Sequence, residues 1–359
     1  MTYPLSDDIT KILSLTKAGR VKDATALIQR GLGFGNVAVR SATPPDLHPV
    51  RPLSLPAPQT VEGAARVKQT STVQSSGSSS FERHTFRNAA GSLDYLLFRP
   101  ANYSGNVPLV IMLHGCTQSA NDFAAGTQMN VLAEKEGFIV AYPEQPRSAN
   151  MQKCWNWFRK SDQGKASGEP AVIAGITREI IEGQSIDSSR VYVAGLSAGG
   201  AAASIMARAF PDLYSAAGIH SGLACGSAKD MPSAFAAMQG NGTPVHTEKG
   251  SRYVPLITFH GTRDNTVDPV NSDRIHAAWE AAPEISGLIR KTTGGRCNGR
   301  RFERTAVLSA DGRSLAESWS IEGAGHAWSG GSPAGSYTDR KGPDASAEMV
   351  RFFLQHRLG

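Results

Sequence analysis

One serine lies in a sequence context that favours nucleophilic chemistry. Residues 195–199 read Gly-Leu-Ser-Ala-Gly, with an apolar run before them and an Ala-rich stretch after them. The run predicts a strand and the Ala-rich stretch a helix, so Ser197 occupies the tight turn between the two. Small neighbours tolerate the strained backbone of such a turn, which exposes the hydroxyl at the sheet edge. We therefore interpret Ser197 as a nucleophile; the alternative is a Gly-rich turn with a solvent-exposed serine.

An acidic loop follows a later predicted strand, over Val254–His260. Asp264 comes three residues after Gly261, where an open α/β sheet gathers its active site at the carboxyl ends of its strands. A carboxylate at that position can orient an imidazole. Asp268 is a second candidate, but it directly precedes Pro269 at a predicted helix start, where helix capping explains it, so we favour Asp264 as the acid.

A histidine in a glycine-rich loop completes the set. His326 lies within residues 322–331, after the last predicted strands, and can take the hydroxyl proton of Ser197 and return it to a leaving group. The order Ser, acid, His is that of α/β-hydrolases. The alternative is an exposed bystander. We interpret His114 and His260 as structural residues that fix loops by hydrogen bonds, and their spacing to other ligand types predicts no metal site.

Acyl transfer also needs donors for a developing oxyanion. The backbone N–H of Ala198, the first residue after the nucleophile, supplies one donor. The loop that follows the predicted strand Pro108–His114 supplies the other, and we expect it to be the N–H of Cys116.

The elements that must position these groups alternate along the chain from residue 81. Near-continuous apolar strands separated by amphipathic helices predict an α/β fold, with a mostly parallel sheet covered by helices on both faces. The predicted strands are 83–87, 93–98, 108–114, 138–142, 191–196, 216–220, 254–260, 304–308 and 315–321, and the predicted helices are 122–136, 170–184, 270–282 and 343–356.

The first eighty residues differ from the rest. Residues 1–33 carry apolar positions at helical spacing, which predicts a short amphipathic helical segment. Residues 34–80 are rich in Pro and Ser and predict a flexible linker, which leaves 81–359 as the catalytic domain.

Six motifs together resemble one family, the esterases of the poly(3-hydroxybutyrate) depolymerase type, which includes feruloyl and acetylxylan esterases. The resemblance covers roughly residues 81–357, and its motifs are Leu113-His-Gly-Cys-Thr-Gln118, Cys154-Trp-Asn-Trp-Phe158, Gly195-Leu-Ser-Ala-Gly-Gly200, Ala224-Cys-Gly226, His260-Gly-Thr-x-Asp264-x-x-Val267 and Gly325-His-x-Trp328. It implies the α/β-hydrolase fold, a triad of Ser197, Asp264 and His326, no cofactor, and hydrolysis of carboxylic esters.

The expected function is that of a serine esterase acting on poly- or oligo(3-hydroxyalkanoate), including an insoluble polyester. Feruloyl or acetylxylan esterase activity is the alternative. A different class of function is binding of a polyester granule or another surface through the N-terminal segment. Aromatic side chains predict substrate contacts as well: Trp155, Trp157 and Phe158 either line the acyl pocket or fill the core, and Trp328 is expected to line the cleft.

Charge and length exclude several partners. The net charge is +6, and residues 1–80 contribute nine Lys and Arg against five acids, so the catalytic part is nearly balanced and predicts no nucleic-acid surface. No apolar run approaches the roughly 20 residues of a membrane span. The oligomeric state is not predicted.

Four cysteines bear on the compartment. We predict pairing of Cys225 with Cys297 and of Cys116 with Cys154 in an oxidising compartment, and four reduced thiols in a cytoplasm. The N-terminus has acids where a secretory signal would be apolar, so the expectation is a cytoplasmic location. Many members of the family are secreted, so an extracellular location is the alternative.

Overall fold

The computed structural model describes residues 78–101, 103, 105–242, 253–281 and 288–359. The predictions for residues 1–77, which include the helical segment and nearly all of the linker, lie outside these residues. Within the described ranges, every helix is too short or too polar to cross a lipid bilayer.

A ten-stranded sheet forms the centre of the described part of the chain. Its spatial order is β1-β2-β4-β3-β5-β6-β7-β10-β9-β8, and the six neighbours from β4 to β10 pair in parallel, whereas the pairs at both edges are antiparallel. The strands are β1 (Ser80–Asn88), β2 (Gly91–Arg99), β3 (Val107–Leu113), β4 (Ile139–Glu144), β5 (Ile186–Leu196), β6 (Ala216–His220), β7 (Leu256–Gly261), β8 (Ile289–Cys297), β9 (Arg300–Leu308) and β10 (Ser314–Ile321).

Helices cover both faces of the sheet, as predicted. Along β3, Leu109 and Ile111 enter one apolar core and Val110 and Met112 the opposite one, because successive strand side chains point to opposite faces. The helices are α1 (Ala120–Thr127), α2 (Met129–Glu136), α3 (Gly168–Gly183), α4 (Ala198–Ala209), α5 (Met231–Ala236), α6 (Val270–Glu280) and α7 (Ala345–Phe353). Helices α3 and α4 pack in the first core, and α1, α2 and α7 in the second.

Several elements differ from the prediction. The helix predicted over 122–136 is two helices, because Gln128 between α1 and α2 adopts a left-handed conformation with φ 56°. Strand β8 was not predicted, since all but the last of its residues are exposed and it carries no alternating apolar pattern. Helix α5 was not predicted either; it has only six residues.

Candidate active site

Ser197 occupies a sharp turn between β5, which ends at Leu196, and α4, which begins at Ala198. Its backbone has φ 58° and ψ −120°, a conformation that is strained for a residue with a side chain. A Cβ atom at Gly195 would lie 2.2 Å from the carbonyl oxygen of Gly199, and one at Gly199 would lie 2.0 Å from that of Leu113. The turn therefore requires glycine at both positions.

The backbone on either side fixes this turn. The N–H of Ser197 donates to the carbonyl of His220 at the end of β6 (2.9 Å), and its carbonyl accepts from the N–H of Ala201 in α4 (2.9 Å). Ser197 is partly exposed, whereas its neighbours Leu196 and Ala198 are buried. The hydroxyl is thus the accessible group of the turn.

Asp264 and His326 are in direct contact. Nδ1 of His326 lies 2.7 Å from Oδ2 of Asp264, and the other carboxylate oxygen accepts the N–H groups of Thr266 (3.0 Å) and Val267 (2.9 Å). Burial raises the pKa of Asp264, but hydrogen bonds from His260 and His326 outweigh burial and hold it well below its ordinary value. The ionised carboxylate keeps the proton of His326 on Nδ1 and leaves Nε2 free to accept one.

The acidic loop and the histidine loop meet because β7 and β10 are parallel neighbours. The N–H of Arg263 donates to the carbonyl of Ala324 (2.9 Å), and the hydroxyl of Thr262 accepts the N–H of Gly323 (2.9 Å). A Cβ atom at Gly261 would lie 2.3 Å from the same Ala324 oxygen, so the close approach depends on glycine. Asp268, the second acid candidate, instead accepts the N–H of Val270 at the start of α6.

The loop after β3 presents one unused backbone donor beside the serine. The N–H of Gly115 donates to Oε1 of Gln118 (2.9 Å), that of Thr117 to the carbonyl of Gln152 (2.6 Å), and that of Gln118 to the carbonyl of Gly115 (3.3 Å). Within the described part of the chain, the N–H of Cys116 has no such acceptor. A Cβ atom at Gly115 would lie 3.6 Å from that of Ser197, so this loop flanks the serine.

The other expected donor is the N–H of Ala198. It is the first residue of α4, where a backbone N–H has no acceptor within its own helix. The two N–H groups predicted to bind an oxyanion thus stand on the two chain segments that adjoin Ser197.

Three buried histidines hold these loops in place, two of them as predicted. His114 accepts the N–H of Gln145 at Nε2 (3.1 Å), and Nε2 of His260 donates to the carbonyl of Val267 (2.8 Å). Sequence reasoning missed His220, which stands in no motif. Its Nε2 accepts the N–H of Ser329 in the histidine loop (3.0 Å), and its carbonyl binds Ser197, so it connects nucleophile turn and histidine loop. Burial lowers the pKa of His114 to about 4 and that of His220 to about 3.

The aromatic residues expected at the substrate pocket lie mostly in the interior. Trp155 and Trp328 expose 0% and 1% of their surface, so the prediction that these two contact substrate is wrong. Trp155 donates its indole N–H to the carbonyl of His114 (3.0 Å), and Trp328 stacks on His220 and donates to Ser346. Both rings therefore pack in the interior against residues that adjoin the site. Trp157 is 7% exposed and contacts Phe158 edge to face, and its substrate role stays a prediction.

One of the two predicted disulfides is present. Cys116 is bonded to Cys154, whereas Cys225 and Cys297 are free, so the predicted pairing of Cys225 with Cys297 is wrong. Cys225 follows β6, and Cys297 ends β8, four positions away in the sheet. Strands β7, β10 and β9 lie between β6 and β8, so the two cysteines belong to different parts of the sheet.

Acidic, histidine and cysteine side chains do not form a metal-binding group of three or more anywhere in the described ranges.

Solved structures establish the fold class. The protein resembles an acetyl xylan esterase from Aspergillus awamori with a TM-score of 0.58 at 22% sequence identity, over 77% of this chain and 99% of that one. At this identity the similarity shows the fold alone, which is that of the α/β-hydrolases.

Sequence comparison defines the family. The family model described as Esterase PHB depolymerase matches residues 93–305, and the chain belongs to this family. Similar proteins include poly(3-hydroxyalkanoate) depolymerase C of Paucimonas lemoignei, 32% identical over 66% of this chain and 58% of that protein, and a probable acetylxylan esterase A of Aspergillus clavatus, 28% identical over 51% and 64%. Feruloyl esterase B of Thermothelomyces thermophilus is 28% identical over 55% of this chain and 75% of that protein. The chain thus spans about three fifths of the length of the first two relatives.

Proposed function

We propose that this protein is a serine esterase that hydrolyses carboxylic esters through an acyl-enzyme. The observation that carries the proposal is the arrangement at one edge of the sheet, where the strained turn of Ser197 lies on β5 and the 2.7 Å contact between His326 and Asp264 joins the loops after β10 and β7. Membership of the esterase family supports the same chemistry.

The reaction proceeds in two half-reactions, formation and then hydrolysis of the acyl-enzyme, and each of these groups has a role in them. Oγ of Ser197 attacks the ester carbonyl carbon while Nε2 of His326 takes the hydroxyl proton, and Asp264 stabilises the resulting imidazolium. The N–H groups of Cys116 and Ala198 bind the oxyanion of the tetrahedral intermediate. Its collapse expels the alcohol, which receives the proton from His326 and leaves an acyl group on Ser197. Water then attacks the acyl carbon, with His326 as base, and releases the acid.

For the substrate we propose poly- or oligo(3-hydroxyalkanoate). The support is the name of the Paucimonas lemoignei relative, a poly(3-hydroxyalkanoate) depolymerase. Acetylxylan or feruloyl esters are the second candidate, supported by the names of the fungal relatives.

A substrate panel tests both levels of the proposal. We expect wild-type protein to hydrolyse p-nitrophenyl butyrate and 3-hydroxybutyrate oligomers, with a higher kcat/KM on the oligomers than on methyl ferulate or acetylated xylan. Ser197→Ala should lower kcat by about 10⁴-fold or more on every ester. Ser309→Ala, in the remote turn after β9, is the matched control and should retain wild-type rates. A higher kcat/KM on methyl ferulate or acetylated xylan than on the oligomers would overturn the proposed substrate class. Full activity of Ser197→Ala would overturn the proposed triad.

A further inference from the structure

A polar cluster that takes no part in the proposed chemistry lies behind the oxyanion loop, residues 114–117. It consists of Gln145, directly after β4, Asn156, and Glu169 in the first turn of α3. Gln145 exposes none of its surface and Asn156 only 2%, and Glu169 is partly buried. A carboxylate among buried amides requires an explanation, because burial of a charge is costly unless it is hydrogen-bonded.

Gln145 is the member that contacts the loop directly. Its backbone N–H donates to Nε2 of His114 (3.1 Å), and its side-chain Nε2 donates to the carbonyl of Cys154 (3.0 Å). Cys154 is bonded through its sulfur to Cys116, whose N–H is the proposed oxyanion donor. Gln145 is thus linked to both ends of the short segment His114–Cys116, to His114 directly and to Cys116 through Cys154.

The segment Cys154–Asn156 reaches the same loop from a second side. Trp155 donates its indole N–H to the carbonyl of His114 (3.0 Å), next to the disulfide between Cys154 and Cys116. Two consecutive residues of this segment therefore anchor two residues of the loop. The position of this segment therefore determines the orientation of the backbone N–H of Cys116.

Glu169 is the group that holds both Gln145 and this segment. Oε1 of Glu169 accepts Nε2 of Gln145 (2.5 Å) and Nδ2 of Asn156 (2.5 Å), and Oε2 accepts the backbone N–H of Asn156 (2.8 Å). All three partners are donors, so the site requires a group that only accepts, and an ionised carboxylate meets that requirement. An amide of the same size would place its NH₂ against at least one of these donors.

We propose that Glu169 is a positioning residue for the oxyanion hole, acting through Gln145 and the segment Cys154–Asn156 on the N–H of Cys116. This inference rests on the proposed esterase function. Glu169 hydrogen-bonds to Gln145 and Asn156, which separate it from the loop, so its removal displaces a transition-state donor and leaves the nucleophile, base and acid in place. A displacement of about 1 Å at such a donor costs up to about 100-fold in rate.

Steady-state kinetics of Glu169→Gln with p-nitrophenyl butyrate test the proposal. We expect kcat to fall ten- to a hundredfold with KM within twofold of wild type, because a tetrahedral transition state uses the donor more than the ground state does. The inhibition constant of a boronic acid, which forms a tetrahedral adduct on the serine, should rise by a similar factor.

Glu317→Gln is the matched control. Glu317 is a fully buried carboxylate on β10, held by Arg304 and Arg351 away from the oxyanion loop. We expect this variant to lower Tm at least as much as Glu169→Gln and to leave kcat within twofold of wild type. Loss of a buried charge alone would move kcat equally in both variants, and that result overturns the proposal.

A second variant covers the case in which Glu169→Gln does not fold. Gln145→Met keeps the backbone N–H that binds His114 and removes the side-chain link between Glu169 and Cys154, so kcat and boronic acid affinity should fall in the same direction. Unchanged kcat and boronic acid affinity in whichever variant folds would contradict the proposal. A wild-type protein that hydrolyses no ester would contradict the esterase function instead, so the two failures are distinguishable.

Discussion

The central strands and the β8–β9 hairpin belong to the same sheet but differ in how far their side chains are buried. Every residue of β3, β6 and β7 is buried, whereas all of β8 except Cys297 is exposed. The carboxyl ends of β3, β5 and β7 lead into Cys116, Ser197 and Asp264, and the β8–β9 hairpin carries none of the proposed catalytic groups. Close packing on both faces restricts the position of a strand end, and an exposed edge strand lacks that constraint.

The largest expected effect comes from adding one methyl group at the nucleophile turn. Gly199→Ala should abolish ester hydrolysis and lower the yield of folded protein, because its Cβ would lie 2.0 Å from the carbonyl oxygen of Leu113. Gly294→Ala on β8 is the control, since its Cβ meets nothing closer than 3.7 Å, and it should retain wild-type kcat. Activity assays and circular dichroism of both variants check this. Equal behaviour of the two variants would show that the packing contrast does not control function.

The next effect separates the two carboxylates of the acidic loop. Asp264→Asn should lower kcat by about 10⁴-fold, because an amide favours the wrong imidazole tautomer and cannot stabilise an imidazolium. Asp268→Asn should change kcat by less than threefold, since the side chain of Asp268 accepts the N–H of Val270 at the start of α6 and does not contact His326. Steady-state kinetics at pH 7–8 distinguish them. A larger loss in Asp268→Asn would move the acid role to that residue.

Sequence predicts the central region better than the edge for a physical reason. Strands β3 and β7 and the turn at Ser197 are visible because burial on two faces imposes continuous apolar runs and because crowding imposes Gly195 and Gly199. Strand β8 faces water on both sides, so no pattern marks it. The break between α1 and α2 depends on the left-handed backbone of Gln128, a conformation that glutamine as a residue type does not predict.

The side chains around the site show a similar limit. Asp264 and His326 are predictable because loops at the ends of parallel strands converge. The role of His220 depends on a backbone hydrogen bond to Ser197 from another strand, and no local spacing reveals that contact. Trp155 and Trp328 belong to the same case, since a ring beside an active site contacts either substrate or the loop behind it, and burial decides between them.

Buried histidines make acid sensitivity a property of the packed region. Burial lowers the pKa of His114, His220 and His356 to about 4, 3 and 4 from an ordinary 6.5, and residues 289–308 contain no histidine. Below about pH 6.5 the unfolded chain binds more protons at these histidines than the folded chain does. The free energy of unfolding therefore keeps its full contribution from them above about pH 6.5 and decreases as the pH falls towards 4.

Thermal melts between pH 7.5 and 4.5 measure this loss. His356→Phe removes a buried Nε2 that has no hydrogen-bond partner among the described residues, and its ring position already packs against Phe352. We expect this variant to show a smaller fall in Tm across the range than wild type. A Tm that is independent of pH in wild type, or an equal fall in the variant, would contradict the assignment.

The smallest effect concerns the two free thiols, which the two regions expose differently. Native protein should react with one equivalent of thiol reagent at Cys297, which is partly exposed at the end of β8, and with a second at the buried Cys225 only after unfolding. Mass spectrometry without reduction reads both numbers. Four labelled cysteines in unfolded protein would exclude the bridge between Cys116 and Cys154.

Covalent labelling of the nucleophile tests the central claim most directly. Wild-type protein treated with a fluorophosphonate should gain the mass of one phosphonyl group, located on Ser197 by peptide mapping, and lose ester hydrolysis in step with labelling. Ser197→Ala should gain none, and His326→Ala should label far more slowly because the base is absent. Stoichiometric labelling of another residue, or ester hydrolysis that persists after Ser197 is fully labelled, would contradict the account.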